Sequence, residues 1–251
     1  MNIQQIRETV RKHGFQMAAQ DIACRAANRV AQVSLLHGVS LDMETVDPKF
    51  LADDAGLEWG FLDRATLERA LANGGAEGMD AAFVGGALAK GDRCYGALVG
   101  ETVVSYGWYS SRPTAVTAID DDAILCFDAA YAYMYRGYTL PAYRGKRLHG
   151  IGMARAMKAL VDEGQKGLVS CVEAGNFASL ASCQRLGYKV FGQLLCVKRK
   201  GRFVSLATRG CKAYGMRIVL GGSWTGPEAE TAGQDTETTG PQRPPREAQS
   251  A

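Results

Sequence analysis

Residues 138 to 152, Tyr-Thr-Leu-Pro-Ala-Tyr-Arg-Gly-Lys-Arg-Leu-His-Gly-Ile-Gly, read as an extended segment that breaks at Pro141, crosses a basic, glycine-containing turn and enters a helix. A turn that feeds a helix N-terminus points unpaired backbone N–H groups outward and adds the positive end of the helix dipole. Here Arg144, Lys146 and Arg147 add three side-chain cations to the same place. Such a segment holds phosphates, and a chain that contains it must place an extended strand before the turn and a packed helix after it.

The flanking sequence supplies both. Helix over 150 to 163 puts Met153, Ala154, Met157, Leu160 and Val161 on one arc and Arg155, Lys158 and Asp162 on the other, the pattern of a helix packed on a sheet. A strand is expected over 131 to 140 and an apolar one over 167 to 172. Asn176 then caps a short helix that closes at Gly187. Strand, turn, helix and second parallel strand make one crossover unit. Upstream, 63 to 73 and 79 to 90 read as helices ending near Gly74 and Gly91. Residues 94 to 99 and 102 to 109 form a β-hairpin across Gly100 and Glu101, rich in Val, Tyr and Trp. A terminal strand pair is expected over 190 to 197 and 203 to 208.

The ends read differently. Residues 3 to 12 carry Ile3, Ile6 and Val10 at helical spacing, and 18 to 33 form a second, Ala-rich helical candidate. We expect an N-terminal helical segment with the first strand over 1 to 50, a domain over 51 to 220, and a disordered tail over 221 to 251, where apolar residues nearly vanish. The 29 basic and 26 acidic residues nearly cancel, which gives no general affinity for nucleic acid. Seven cysteines, an odd number with no C-x-x-C spacing, read as reduced thiols and no metal centre. The opening Met-Asn-Ile-Gln-Gln has no apolar leader core, and no run of about 18 apolar residues occurs, so a cytoplasmic protein without a transmembrane segment is expected.

The turn alone is weak evidence, since it lacks both the GxxxxGK[ST] of a P-loop and the GxGxxG of dinucleotide folds. The constellation is more specific. Residues 138 to 147, the helix, the strand ending Val172-Glu173-Ala174-Gly175-Asn176, Ser179, and Leu186-Gly187-Tyr188 together resemble the GNAT superfamily of N-acetyltransferases. The resemblance covers about residues 94 to 191. It implies a mixed α/β (α+β) fold: a mostly antiparallel central sheet flanked by helices and splayed at one parallel strand pair. It also implies acetyl-CoA as acyl donor, with its pyrophosphate in a [QR]-x-x-G-x-[GA] turn, and a small-molecule primary amine as acceptor. No metal is implied, and a homodimer stays open.

Two registers fit that motif. Either Arg144 begins it, which puts Arg147 and His149 at positions where small residues are usual, or Arg147 begins it and Gly150 and Gly152 match. The spacing to Asn176 favours Arg144. By resemblance the cofactor-binding set is then Tyr138, Thr139 and Leu140 through their backbone, the turn residues Arg144, Gly145, Lys146, Arg147, Leu148, His149 and Gly150, and Asn176. Glu173, at a strand end beside the cofactor, is the candidate base. Asp128, Tyr131, Tyr133 and Tyr135 are its rivals. Many members place a Tyr acid seven residues after the Asn, where this chain has Cys183. A thiol can protonate a thiolate in principle. Without that Tyr, a non-catalytic acyl-CoA-binding module is the alternative function. A third reading is a factor that meets anionic surfaces through the N-terminal helix and Lys198–Arg202. Acceptor choice is expected to lie in residues 63 to 90 and 110 to 122.

Overall fold

The computed structural model describes residues 11, 15–52 and 55–221. The helix expected over 3 to 12 and the tail expected from 221 fall almost wholly outside them. The first described helix, α1 (Phe15–Ala27), stops short of the expected end at Val33. From there β1 (Gln32–Leu41) takes over, because Leu36, Val39 and Leu41 are buried between neighbouring strands. The overlap with the expected helix is Gln32 and Val33, which pair with Lys198 and Val197 in the sheet, so strand pairing sets the conformation there. The short α2 (Lys49–Ala52) and β2 (Trp59–Leu62) follow.

Next come α3 (Arg64–Ala72) and α4 (Ala81–Lys90), each started by an aspartate. Asp63 accepts from the Thr66 N–H and Asp80 from the Phe83 N–H, both at 2.8 Å. Such caps contribute about 1 kcal/mol apiece. Gly91 ends α4 at φ +91°, a conformation that a side chain would strain. The expected hairpin is β3 (Arg93–Val99) and β4 (Thr102–Ser110). Two short strands, β5 (Thr114–Ala115) and β6 (Ala123–Cys126), lie in a stretch that carried no strand signal. The crossover unit is β7 (Ala132–Thr139), α5 (Leu148–Asp162) and β8 (Leu168–Glu173), followed by α6 (Phe177–Leu186). The chain closes with β9 (Lys189–Arg199), β10 (Arg202–Ala207), α7 (Arg209–Ala213) and β11 (Arg217–Leu220).

Eight strands form one sheet in the order β10-β9-β1-β8-β7-β4-β3-β2, and β11-β6-β5 form a second, small one. Every neighbour pair is antiparallel except β7 with β8. This is the mixed α/β architecture that the resemblance implies. The first strand is not an appendage: β1 lies between β8 and β9, hydrogen-bonded to both. The expected boundary near residue 50 therefore separates no unit of the sheet.

One face of the large sheet packs against α5, with Ile151, Ala154 and Met157 wholly buried among Val39, Ala97 and Leu168. The opposite face is covered in two places. Around Trp108, the residues Leu67, Ala70, Val84 and Ala87 of α3 and α4 close one core. Around Tyr133 and Val169, the small sheet and α7 close the other, through Leu125, Ile218 and Cys211. All seven cysteines are free thiols. Among the described residues, no helix is long and apolar enough to cross a membrane.

Candidate active site

The parallel pair opens almost as soon as it forms. β7 and β8 are in register only at Ala132 with Leu168 and Tyr133 with Val169. The Ser170 hydroxyl then donates to the Met134 carbonyl (2.8 Å) in place of a backbone partner. Beyond that point β7 follows β4, where a bulge between Trp108 and Tyr109 leaves Tyr135 as the extra residue. β8 meanwhile follows β1, to Leu36 opposite Glu173. A wedge-shaped cavity of about 510 Å³ lies between them, lined by Tyr135, His149, Cys171, Glu173, Asn176 and Cys183 among others.

At the wide end of the wedge sits the basic turn. Pro141–Tyr143 form a single 3-10 turn, Gly145 takes φ +80°, and Arg147 takes φ +61° as N-cap of α5. These angles favour the register that begins at Arg144. Its fourth position, usually glycine, is the left-handed Arg147, which marks where a glycine would relax the chain. Gly150 and Gly152 have ordinary helical backbone and are small for a different reason. An added Cβ would lie 2.7 Å from the Phe50 ring at position 150 and 2.6 Å from the Trp59 ring at position 152. They let α2 and β2 approach the helix. The bulk of His149 is accommodated from the strand side, where a Cβ on Gly137 would come within 2.3 Å of the imidazole.

Among the described residues no side chain caps the first turn of α5, and that turn holds no acidic residue. Its open N–H groups face a second cavity of about 540 Å³ that shares His149 and Ser182 with the wedge. Arg144, Arg147, Lys49 and Arg185 line this cavity, and no acidic residue does. The last two cations were not legible as site residues. Lys49 comes from α2, where it pairs with Asp47, and Arg185 from the last turn of α6. Arg144 Nε donates to the Thr139 carbonyl (3.2 Å), which braces the turn against β7. Lys146 lies over the Tyr143 ring and is outside the cavity lining.

The three strand residues expected to offer backbone separate by alternation. The Leu140 N–H already binds the Val104 carbonyl (3.0 Å), while the Thr139 carbonyl faces the turn. Alternate residues of a strand address opposite neighbours. Thr139 and Gly137 thus turn their peptide groups away from β4, Thr139 on the wall of the second cavity, whereas Tyr138 and Leu140 present theirs to β4. The Tyr138 hydroxyl points away, donating to Glu77 (2.6 Å).

Asn176 caps α6 by accepting from the Ser179 N–H (3.1 Å) and lines the wedge. Cys183 lines it too, and burial pushes its thiol up to about 11, so it stays protonated at neutral pH. Burial also holds His149 below its ordinary value, as the neutral imidazole. Tyr188 stands beside Cys183 on the wedge, its hydroxyl fully withdrawn from water and raised in pKa by that burial. Glu173 is exposed at the end of β8. It lines both the wedge and a third cavity of about 790 Å³, which also share Ala118, Tyr135 and Cys171. Of its rivals, Asp128 accepts from the Ala130 N–H in a turn. Tyr133 and Tyr135 are walls of the third cavity.

No protein-family model matches the chain, and no curated protein does. Among solved structures, the chain is similar to a GCN5-related N-acetyltransferase-like protein from Streptococcus suis: 17% identity, TM-score 0.46, 72% of this chain and 67% of that one. It is also similar to a GNAT-family acetyltransferase from Colwellia psychrerythraea, at 10% identity and TM-score 0.44 over 73% and 63%. An aminoglycoside N-acetyltransferase, AAC(6')-Iy in complex with CoA, aligns at 16% identity and TM-score 0.39 over 53% and 91%. The chain thus spans about two thirds of the length of the first two. At these scores the likeness says nothing about substrate, which has to be read from the cavities themselves.

Proposed function

We propose that the protein is an N-acyltransferase that moves an acetyl group from acetyl-CoA to a primary amine by direct transfer. One observation carries this reading: the three cavities share walls in turn, His149 and Ser182 between the cationic helix N-terminus and the strand wedge, and Tyr135, Cys171 and Glu173 between the wedge and the largest chamber. That sequence of environments suits a diphosphate, an extended amide-bearing arm and an amine, in that order. The residues present fit the donor. Arg144, Arg147, Lys49, Arg185 and the open N–H groups of α5 would hold the diphosphate. The peptide groups of Gly137 and Thr139 would pair with the arm.

When bound, acetyl-CoA supplies a thioester: the amine nitrogen bonds to its carbonyl carbon, the C–S bond breaks, and an amide and a free thiol result. Glu173 accepts the proton that the amine gives up, directly or through one water. The Cys183 thiol, protonated at neutral pH, donates a proton on the sulfur side, and exchange with solvent returns both groups to their starting state. Holding the two reactants in one channel supplies much of the acceleration. A binding module without transfer is the second reading, favoured by the thiol at position 183, a weaker acid here than a free thiol.

The test is thiol release from acetyl-CoA against a panel of amines, with calorimetry of CoA alone. Amine-dependent release supports transfer. CoA binding with no release on any amine selects the module, and no CoA binding at millimolar ligand removes both.

A further inference from the structure

The wall shared by the second cavity and the wedge consists of two residues, His149 from the first turn of α5 and Ser182 from α6. A donor with its diphosphate at the start of α5 and its thioester in the wedge has to run past both. His149 stands where small residues are usual, and the room for its ring comes from β7. A Cβ on Gly137 would lie 2.3 Å from the imidazole Cε1 and 3.1 Å from Nδ1. The helix carries the bulk here and the strand gives way, so the ring lies against β7 at Gly137.

A ring held in that position would ordinarily be hydrogen-bonded. Among the described residues, no hydrogen bond reaches either nitrogen of His149 or the Ser182 hydroxyl. Both nitrogens of His37 are sealed from water as well as unpartnered. Those of His149 are not sealed, and the residue lines both cavities. A ligand in the channel can therefore reach them. Burial keeps the imidazole neutral, and a neutral imidazole offers one donor and one acceptor. An amide or a hydroxyl presents the complementary groups.

We propose, on the acyl-transfer reading, that the His149 side chain recognises the arm of the donor. Its imidazole hydrogen-bonds the segment of the pantetheine arm next to the diphosphate, which carries a hydroxyl and an amide. The grip on CoA then has two separable parts, cations and helix N–H groups for the phosphates and this ring for the arm. His149 is a binding residue in this role and takes no part in the transfer step.

The test is calorimetry of the full chain with two ligands: CoA, and ADP, which has a diphosphate and no arm. His149→Phe keeps a ring and removes both nitrogens, while His149→Gln keeps a donor and an acceptor. The expected result is a CoA dissociation constant about 3- to 10-fold higher for His149→Phe, the size of one hydrogen bond, with ADP affinity unchanged and a smaller loss for His149→Gln. In turnover the loss should fall on the KM for acetyl-CoA and leave kcat unchanged. CoA affinity that is equal in the unaltered protein and His149→Phe overturns the proposal. So does equal weakening of CoA and ADP, because the imidazole would then act at the phosphates. An unaltered protein that binds neither ligand removes the acyl-transfer reading first, whereas CoA binding that ignores position 149 removes this proposal alone. If CoA binds and ADP does not, the order of CoA affinity decides: unaltered, then Gln, then Phe supports the proposal, and any other order overturns it. Should His149→Phe not fold, His149→Ala, which relieves the contact with Gly137, takes its place with the same outcomes.

Discussion

The two ends of the channel are built in opposite ways. The proposed donor end has a local frame: β7, the turn and the start of α5 are one stretch of 21 residues, 132 to 152, to which α2 and α6 add only the cations Lys49 and Arg185. The proposed acceptor end is assembled from β1, α4, the 114–119 segment, β7 and β8, and its chemistry comes from side chains brought together by the topology. A local, backbone-built site tolerates substitution and leaves a pattern in sequence. An assembled one leaves none until the topology is known, and single side chains there have larger consequences.

Glu173, where the two ends meet, should give the largest effect. Glu173→Gln keeps its shape and removes the base, so turnover should fall about 100-fold or more with CoA affinity unchanged. Steady-state kinetics with calorimetry checks this, and full activity would detach the acceptor end from the chemistry. At the donor end, Arg185→Ala should weaken CoA binding by about 1 to 3 kcal/mol, and less at high salt. Affinity that ignores Arg185 but responds to Lys146, which lies outside the cavity, would mean that the phosphates sit elsewhere.

Arg147 sharpens the same comparison. Its left-handed backbone predicts that Arg147→Gly is more stable than Arg147→Ala by about 1 kcal/mol, read as a few degrees in Tm. If Gly is no better than Ala, the turn is not built as described. The smallest effect belongs to His37, on β1 between Val172 and Gln193, whose two ring nitrogens have no partner among the described residues. Burial lowers its folded pKa, so the folded state takes up its proton later than the unfolded chain. Its share of stability is complete above the unfolded pKa of about 6.5 and is lost as the pH falls toward and through the lower folded value. His37→Leu should flatten the drop in Tm between pH 7 and 5, and an unchanged slope would assign that drop to other groups.

Much of the donor end was legible in the sequence. Asn176 and Gly187 bracket α6 as their cap chemistry requires, and the hairpin turns at Gly100. The register of the turn was not settled by sequence, because Gly150 and Gly152 are small for packing on Phe50 and Trp59. The positive φ of Arg147 adds to the spacing to Asn176 in separating the two. Lys49 and Arg185 could not be seen as partners of Arg144, since neighbours in space from α2 and α6 carry no shared pattern. The start of β1 was not legible, because the alanine-rich helical candidate over 18 to 33 runs into it.

The central claim is that the N-terminus of α5 and its cations grip the diphosphate of CoA. The direct measurement is a calorimetric comparison of CoA with pantetheine, which has the arm and lacks the phosphates. The account predicts that CoA binds far more tightly and that its advantage shrinks as salt is raised. Equal affinity for the two, or no heat from CoA at millimolar concentration, would contradict it.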